Sequence, residues 1–391
     1  MSLEDFNYIF PTEDLLSSET VESSENIVLL KDLVLSNEFK KSTSALTVCI
    51  GKDANGKNII TDIAEMPHLM IAGVTGSGKS VCLHSLIISL LYKTTPQKLR
   101  IVMIDTKGVE LSAYNGIPHL EVPVVTNLQK AIMVLEWATK ESEKRCQLLI
   151  EKGVKDLNGY NADVEEKSCL PRFLIVIDEF YDCMEESIYN LVSKGRMAGI
   201  YLVIVTKKIP KLLKFNIVSR IVFRLSSQTE SKKFLNKKGA EKLLGMGDMM
   251  FLSTEYPETV KGQGAFLSYD EIDKIVGNIK CQGDYEYNEE VMNEIDSALI
   301  GRKKGGSVNL DDEHESYKDK LLEEAIEMVV NHGTASVSYL QRKFGIGYSR
   351  AANMIDQMEE IGILSGNDGS KPRQVLMSKE RFYDLKMNID F

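Results

Sequence analysis

Glycines at positions 73, 76 and 78, followed at once by Lys79 and Ser80, are the residue types and spacing that wrap a polyphosphate. In Gly73-Val74-Thr75-Gly76-Ser77-Gly78-Lys79-Ser80 the glycines take dihedrals that aim successive backbone N–H groups inward at no steric cost. Lys79 then reaches the β- and γ-phosphates of a nucleoside triphosphate, and Ser80 offers its hydroxyl to Mg²⁺. A second reactive pair closes the apolar run FLIVIDE, from Phe173 to Glu179. Asp178 is placed there to hold Mg²⁺ through water and Glu179 to orient and activate an attacking water. One acidic pair after an apolar run says little alone; downstream of a complete phosphate loop it points to hydrolysis of ATP with Mg²⁺ as cofactor.

These residues need a strand running into the loop and a helix leaving it. Leu69 to Ala72 supplies the first, and the apolar segment Val81 to Tyr92 supplies a helix whose positive end faces the phosphates. Further short β-rich runs follow at Arg100 to Asp105, Val122 to Thr126, Phe173 to Asp178, Tyr201 to Thr206 and Arg220 to Leu225. Helical lengths such as Leu128 to Lys152 and Ser187 to Arg196 separate most of them. Near-continuous apolar strands alternating with helices predict an α/β fold with a mostly parallel sheet covered on both faces.

Residues 1–28 include the Ser/Glu-rich stretch LLSSETVESSEN and are expected to form a flexible arm. The α/β domain is assigned to 29–280, and the polar, Gly-containing segment 281–316 reads as a linker. In the tail, 317–391, the pattern is three helices and then two β-like arms around a Gly/Asp turn, which is a small winged helix-turn-helix domain. On its third helix Ala351, Ile355, Met358 and Ile361 fall at helical spacing, as a core stripe does.

The 391 residues are 43% apolar and 27% charged, an ordinary globular balance. No apolar run approaches the 18 or so residues of a membrane span, and the N-terminus lacks a basic leader, so a cytoplasmic protein without an integral membrane segment is expected. Six cysteines lie far apart with no CxxC pair, which argues against zinc and against a disulfide framework. A net charge of −10 is unpromising for a nucleic-acid binder, but phosphate recognition depends on where positive charge sits. From 340 to 381 the tail carries seven Lys/Arg against five Asp/Glu, a mild excess that suits weak binding by one copy and the use of several.

The text around both motifs resembles the FtsK/SpoIIIE family of DNA translocases. The matching segments are MPHLMIAGVTGSGKSV, IDTKGVELSAYNGIPHL, the run ending DEFYDCM, GRMAGIYLV, and SSQTESKKFLNKKGAEKLLGMGDMMF with GAFL after it. The tail LQRKFGIGYSRAANMIDQMEEIGILSGNDGSKPRQVL is similar to the family's C-terminal winged-helix domain. The resemblance implies a RecA-like P-loop NTPase that assembles as a homo-hexameric ring around double-stranded DNA, with ATP at subunit interfaces. It further implies a recombinase or a division or segregation protein as partner. A neighbour's arginine would stabilise charge on the transferring phosphoryl group; Arg220 is the first candidate and Arg196 the second.

A DNA-contact loop of the family carries over as GVKDLNGYN, with Lys155, while Lys207, Lys208, Lys211 and Lys214, after the strand ending at Thr206, are expected to contact DNA phosphates by charge alone, without regard to sequence. In the tail, Arg350 is positioned to grip guanine, with Gln341, Arg342, Lys371 and Arg373 on backbone or groove edges. Departures are as informative. Where the family typically has Gln-Arg-Pro and a longer pore loop, this chain has Lys207-Lys208-Ile209-Pro210 and a shortened basic segment. Gly345 and Ser349 also replace residues usual on the DNA-reading surface. The function expected is an ATP-dependent translocase of double-stranded DNA in chromosome or plasmid segregation or DNA transfer. The alternatives are a nucleotide-binding DNA-bridging or regulatory protein that no longer translocates, and a secretion-type ATPase.

Overall fold

The computed structural model describes residues 7–17 and 27–304, except 67, 255, 257 and 284. Of the tail it describes 325–326, 328–330, 334–344, 354–355, 358, 363–364 and 373–375. Two compact units result, Met1–Ser307 and Val308–Phe391.

In the first unit the elements run β1 (Val28–Leu29), α1 (Leu30–Val34), α2 (Asn37–Lys41), β2 (Thr47–Asp53), β3 (Asn58–Asp62), β4 (His68–Ala72), α3 (Lys79–Leu91) and β5 (Leu99–Asp105). They continue as α4 (Leu128–Lys152), α5 (Leu157–Ala162), β6 (Arg172–Asp178), α6 (Glu185–Lys194), β7 (Ile200–Thr206), β8 (Ser219–Phe223) and α7 (Gln228–Leu235). The unit closes with β9 (Asp248–Leu252), β10 (Val260–Phe266), α8 (Tyr269–Lys280) and α9 (Glu289–Lys304). The strands form one ten-stranded sheet in the order β3-β2-β10-β9-β8-β4-β7-β6-β5, with β1 paired to β10.

From β8 to β5 every pairing is parallel. The side chains explain why: all residues of β4, β5 and β7 are buried, so these strands need cover on both faces, which crossover helices provide. One apolar cluster, with Leu83, Leu86, Ile87 and Leu90 of α3, fills one side of the sheet. A second, with Ala131, Leu135 and Trp137 of α4 and Ile188 and Leu191 of α6, fills the other. The order β8-β4-β7-β6-β5 sets β4, the strand that precedes the glycine loop, in the interior of the sheet between β8 and β7, as in a RecA-like P-loop fold.

Three expectations need correction. Val122–Thr126 is no strand of the sheet; Val125 makes only an isolated bridge to Ile104 on the open edge of β5. The antiparallel strands β2, β3, β9 and β10 carried no clear signal: β3, β9 and β10 are only partly buried, and glycines interrupt β2 and β10. The flexible arm and the linker are both partly built into the domain. Residues 7–17 pack down: Tyr8 is buried and its hydroxyl donates to Leu91 O at 2.8 Å, Leu16 is buried, and Ser17 N donates to Glu271 Oε1 at 2.7 Å. Helix α9 lies on α4 with Val291 and Ile295 buried, and Asn288 donates to Glu121 Oε1 at 2.7 Å. Two apolar anchors in each segment outweigh its polar composition.

In the second unit β11 (Thr334–Ala335) pairs antiparallel with β12 (Arg373–Gln374), and α10 spans Val337–Phe344. Leu364 bridges Val375 antiparallel, as the two arms of a wing do. Its core gathers Ala325, Ile326, Val329, Leu340, Met354, Ile355, Met358, Ile363 and Leu364. Ile355 and Met358 are thus buried as the helical spacing required, while Ala351 and Ile361 lie outside the described residues.

Candidate active site

The glycine loop leaves the C-terminal end of β4 and turns directly into α3, whose first residue is Lys79. Gly78 sits at φ 117°, and a Cβ there would stand 2.9 Å from Gly247 N and 3.3 Å from the Phe223 ring. No side chain fits, so glycine is required for conformation and for space. Two segments brace the loop: Gly247 N, in the turn Leu244–Gly247, donates to Ser77 O at 3.1 Å, and Val74 N donates to Arg224 O, just past β8, at 2.9 Å. Lys79 Nζ donates to Val74 O at 2.8 Å, across the mouth of the loop.

Parallel pairing then sets the acidic residues. Asp178 ends β6 in register with Val205 of β7 and Asp105 of β5, so all three strand ends reach the same edge as the glycine loop. They open into one cavity of about 1080 Å³ whose walls include Thr75, Gly76, Gly78, Lys79, Ser80, Asp178 and Glu179. Crevices at the carboxyl ends of parallel strands are where α/β sheets take ligands. Burial, reinforced by the charges of Asp105, Glu110 and Glu179, pushes the Asp178 carboxyl up to about 6. A carboxylate destabilised in that way is relieved by a cation, and with the Ser80 hydroxyl it gives the hard oxygen donors suited to Mg²⁺.

Glu179 has a left-handed backbone, φ 78°, which turns its side chain from the strand into the cavity. It is held on several sides. Lys107 Nζ is 2.8 Å from Oε2, Lys207 Nζ is 3.6 Å from Oε1, and the Tyr181 hydroxyl donates to Oε2 at 3.1 Å. Burial alone would raise this carboxyl; the Lys107 bond and charge, with Tyr181 and Lys207, outweigh it and hold the group below its usual range. Ser80 Oγ donates to Glu110 Oε1 at 2.9 Å, and His84 and the Tyr269 hydroxyl reach Oε2 at 3.4 and 3.2 Å. The His84 contact is the chief reason the Glu110 carboxyl falls to about 2.

Of the residues singled out by sequence, Lys79, Ser80, Asp178 and Glu179 converge, and Arg220 does not. Arg220 lies on β8, 3% exposed, with Nε donating to Ile217 O at 3.0 Å, Nη1 to Phe234 O at 2.5 Å and Nη2 to Lys214 O. A guanidinium spent on three backbone carbonyls inside its own domain cannot reach a neighbour's nucleotide, so the expected catalytic role for Arg220 is withdrawn. Arg196 is exposed just before β7, at the amino end of the sheet and so opposite the cavity.

The DNA-contact candidates are spread out. Lys155 is exposed beside α5, and Lys211 is exposed after β7. Lys208 is ion-paired with Asp182 at 2.7 Å, and Lys207 faces Glu179. The Lys214 ammonium lies over the Phe215 ring at 5.5 Å. In the tail, the backbones of Gln341 and Arg342 belong to α10 and that of Arg373 to β12; Arg350 and Lys371 lie outside the described residues. Sequence reasoning missed Lys107 and Glu110 as cavity residues and Tyr181 as the hydroxyl that holds Glu179. The signal was available for two of them, since Lys107 and Glu110 follow the strand ending at Asp105 as Glu179 follows its own.

Residues 29–212 match the FtsK/SpoIIIE family and residues 316–378 the Ftsk gamma domain. The chain is 45% identical over 370 residues to a DNA translocase FtsK of Clostridium tetani, over 90% of this chain and 48% of that one. It is 40% identical over 395 residues to the DNA translocase SpoIIIE of Bacillus subtilis, over 96% of this chain and 48% of that one. With a DNA translocase FtsK of Haemophilus influenzae it shares 36% identity over 414 residues, 96% of this chain and 76% of that one. The chain thus spans about half the length of the Clostridium and Bacillus proteins. Among solved structures, the pCW3 conjugation coupling protein TcpA with ATPgS matches at TM-score 0.56 and 25% identity, over 66% of this chain and 75% of that one. The cytoplasmic domain of the Thermomonospora curvata type VII secretion ATPase EccC matches at TM-score 0.57 and 23% identity, over 68% and 36%; that likeness is one of fold.

Proposed function

The chain belongs to the FtsK/SpoIIIE family, and on that footing we propose that it is an ATP-dependent translocase of double-stranded DNA, working in chromosome or plasmid segregation or DNA transfer. The observation that carries the proposal is the convergence of Lys79, Ser80, Asp178 and Glu179 on one cavity, in a chain that also has a gamma domain. A site that only stored nucleotide would have no use for a carboxylate turned into the cavity on a left-handed backbone.

In this reading the amide groups from Gly73 to Ser80 and the start of α3 bind the phosphates, and Lys79 leaves Val74 O for the β- and γ-oxygens. Ser80 and, through water, Asp178 would hold Mg²⁺, which neutralises charge on the phosphates. Glu179 orients the attacking water and accepts its proton. ATP and water give ADP and phosphate, and the free energy moves DNA past the ring. The active assembly is a homo-hexamer in the cytoplasm. Arg196, exposed and opposite its own cavity, is the arginine that a head-to-tail ring would present to the next subunit's nucleotide. Lys155 and Lys211 track the DNA backbone without regard to sequence, and Arg350, Gln341, Arg342, Lys371 and Arg373 read or flank an orienting site. A recombinase or a division or segregation protein is the expected partner.

The test is displacement of a triplex-forming strand from duplex DNA with ATP, comparing the intact chain with Glu179→Gln. Displacement that requires Glu179 supports translocation. ATP hydrolysis without displacement would instead identify a bridging or regulatory protein, and hydrolysis indifferent to DNA would favour a secretion-type ATPase.

A further inference from the structure

Three lysines line the cavity, Lys79, Lys107 and Lys207, and two of them are spent on one carboxylate. Lys107 stands just past the end of β5 and Lys207 just past the end of β7, on the two strands that flank β6. Their ammonium groups approach opposite oxygens of Glu179, Lys107 at Oε2 and Lys207 at Oε1. The lysine side chains are 54% and 57% exposed, against 24% for Glu179, so the cations are free to swing while the carboxylate is not. Tyr181 steadies the same Oε2 and is itself hydrogen-bonded by Thr106, next to Lys107.

Resting on the ATPase reading above, we propose that Lys107 and Lys207 form a latch that recognises the terminal phosphoryl group and frees Glu179 only when a triphosphate is bound. Pairing with both lysines ties up the oxygens Glu179 needs to accept a proton from water. A phosphoryl group arriving beyond Lys79 carries more charge than one carboxylate, and draws both cations from it. Glu179 is then left on Tyr181, with Oε1 open to water. A diphosphate has no group at that end of the cavity, and the latch stays shut. Lysine at 207 thereby gives this chain a cationic contact to the terminal phosphate, and the site senses nucleotide state by exchange of ion-pair partners. No bond is made or broken by the latch itself.

The experiment is equilibrium binding of Mg²⁺-ATPγS and Mg²⁺-ADP to the full chain, by displacement of a fluorescent ADP analogue. Lys107→Ala and Lys207→Ala are each expected to lose about tenfold in ATPγS affinity, the worth of one charge-assisted hydrogen bond net of the one given up, with ADP affinity changed less than about twofold. Lys207→Arg should restore most of the loss. Glu179→Gln, which removes the competitor, should tighten ATPγS several-fold and leave ADP alone. Equal losses for both nucleotides would mean a diffuse electrostatic effect and would overturn the latch, as would unchanged ATPγS binding in either alanine variant or in Glu179→Gln. Lys79→Ala separates the two proposals. If it abolishes binding while the ATPγS-to-ADP ratio is flat across the other variants, the latch alone fails; if the wild type binds neither nucleotide, the ATPase reading fails with it.

Discussion

Replacing Arg220 with alanine separates a structural arginine from a catalytic one. Its guanidinium donates to Ile217 O, Phe234 O and Lys214 O, joining the loop before β8 to the end of α7. Truncation leaves the first two carbonyls buried without a donor, at about 1–3 kcal/mol each, and opens a void at a 3% exposed position. With the void included, the expected loss is roughly 3–5 kcal/mol. At about 2–4 °C per kcal/mol for a domain of this size, Tm should fall by roughly 6–20 °C. An arginine acting on a neighbour's phosphate would behave otherwise, with Tm unchanged and kcat reduced by about 10³–10⁵-fold. Thermal melts of Arg220→Ala and Arg220→Lys, followed by circular dichroism, decide the matter; lysine can satisfy one carbonyl and should recover part of the loss. A wild-type Tm in Arg220→Ala, together with abolished DNA-stimulated hydrolysis, would refute the structural assignment.

Three other outcomes are expected. Gly78→Ala puts a Cβ against Gly247 N and the Phe223 ring at a left-handed φ, so nucleotide affinity measured by titration should fall at least about tenfold, from about 1–3 kcal/mol of strain in the loop; unchanged affinity would contradict the packing of the loop on the Leu244–Gly247 turn. Burial holds His119 down to about 3 and His68 to about 4, against about 6.5 in the unfolded chain, so both are neutral when folded and protonate only on unfolding between those values. Their stabilisation is complete above about pH 6.5 and drains away as pH falls toward 4 and 3, each costing about 2 kcal/mol by pH 5; urea midpoints at pH 7 and 5 should show His119→Gln with a shallower decline than wild type, and parallel declines would sink the assignment. In the tail, Arg350→Ala should cost about 1–3 kcal/mol of discrimination at one base pair, whereas Lys371→Ala should weaken binding to all duplexes alike; a competition assay in which Arg350→Ala keeps full selectivity would misplace the DNA-reading helix.

The phosphate loop, the strand ending in Asp178 and Glu179, and the long helix from Leu128 to Lys152 were legible because each is specified by neighbours in sequence. Asn127 accepts from Lys130 N and Gly153 ends the helix at φ 70°, and both signals lie within four residues of the boundary they set. The run from Val122 to Thr126 looked like a strand for the same local reasons, yet strands exist only by pairing, and its neighbour β5 accepts it at isolated points. The arm and the linker misled through composition: Tyr8, Leu16, Val291 and Ile295 are few among polar residues, but each lands on apolar surface.

By itself the sequence determined the chemistry on offer: a triphosphate cradle, two carboxylates at a strand end, and a small domain of winged-helix pattern. It did so because glycine dihedrals, helix caps and apolar periodicity act over a few residues. Which cations meet which anions was decided only by tertiary structure. Arg220 and Lys207 sit in similar text, at the start of one strand and just past the end of another, yet the sheet turns the first inward onto three carbonyls and the second toward Glu179. Parallel register does this, carrying strand ends far apart in sequence to one edge, where a few ångströms fix whether a charge is scaffold or reagent.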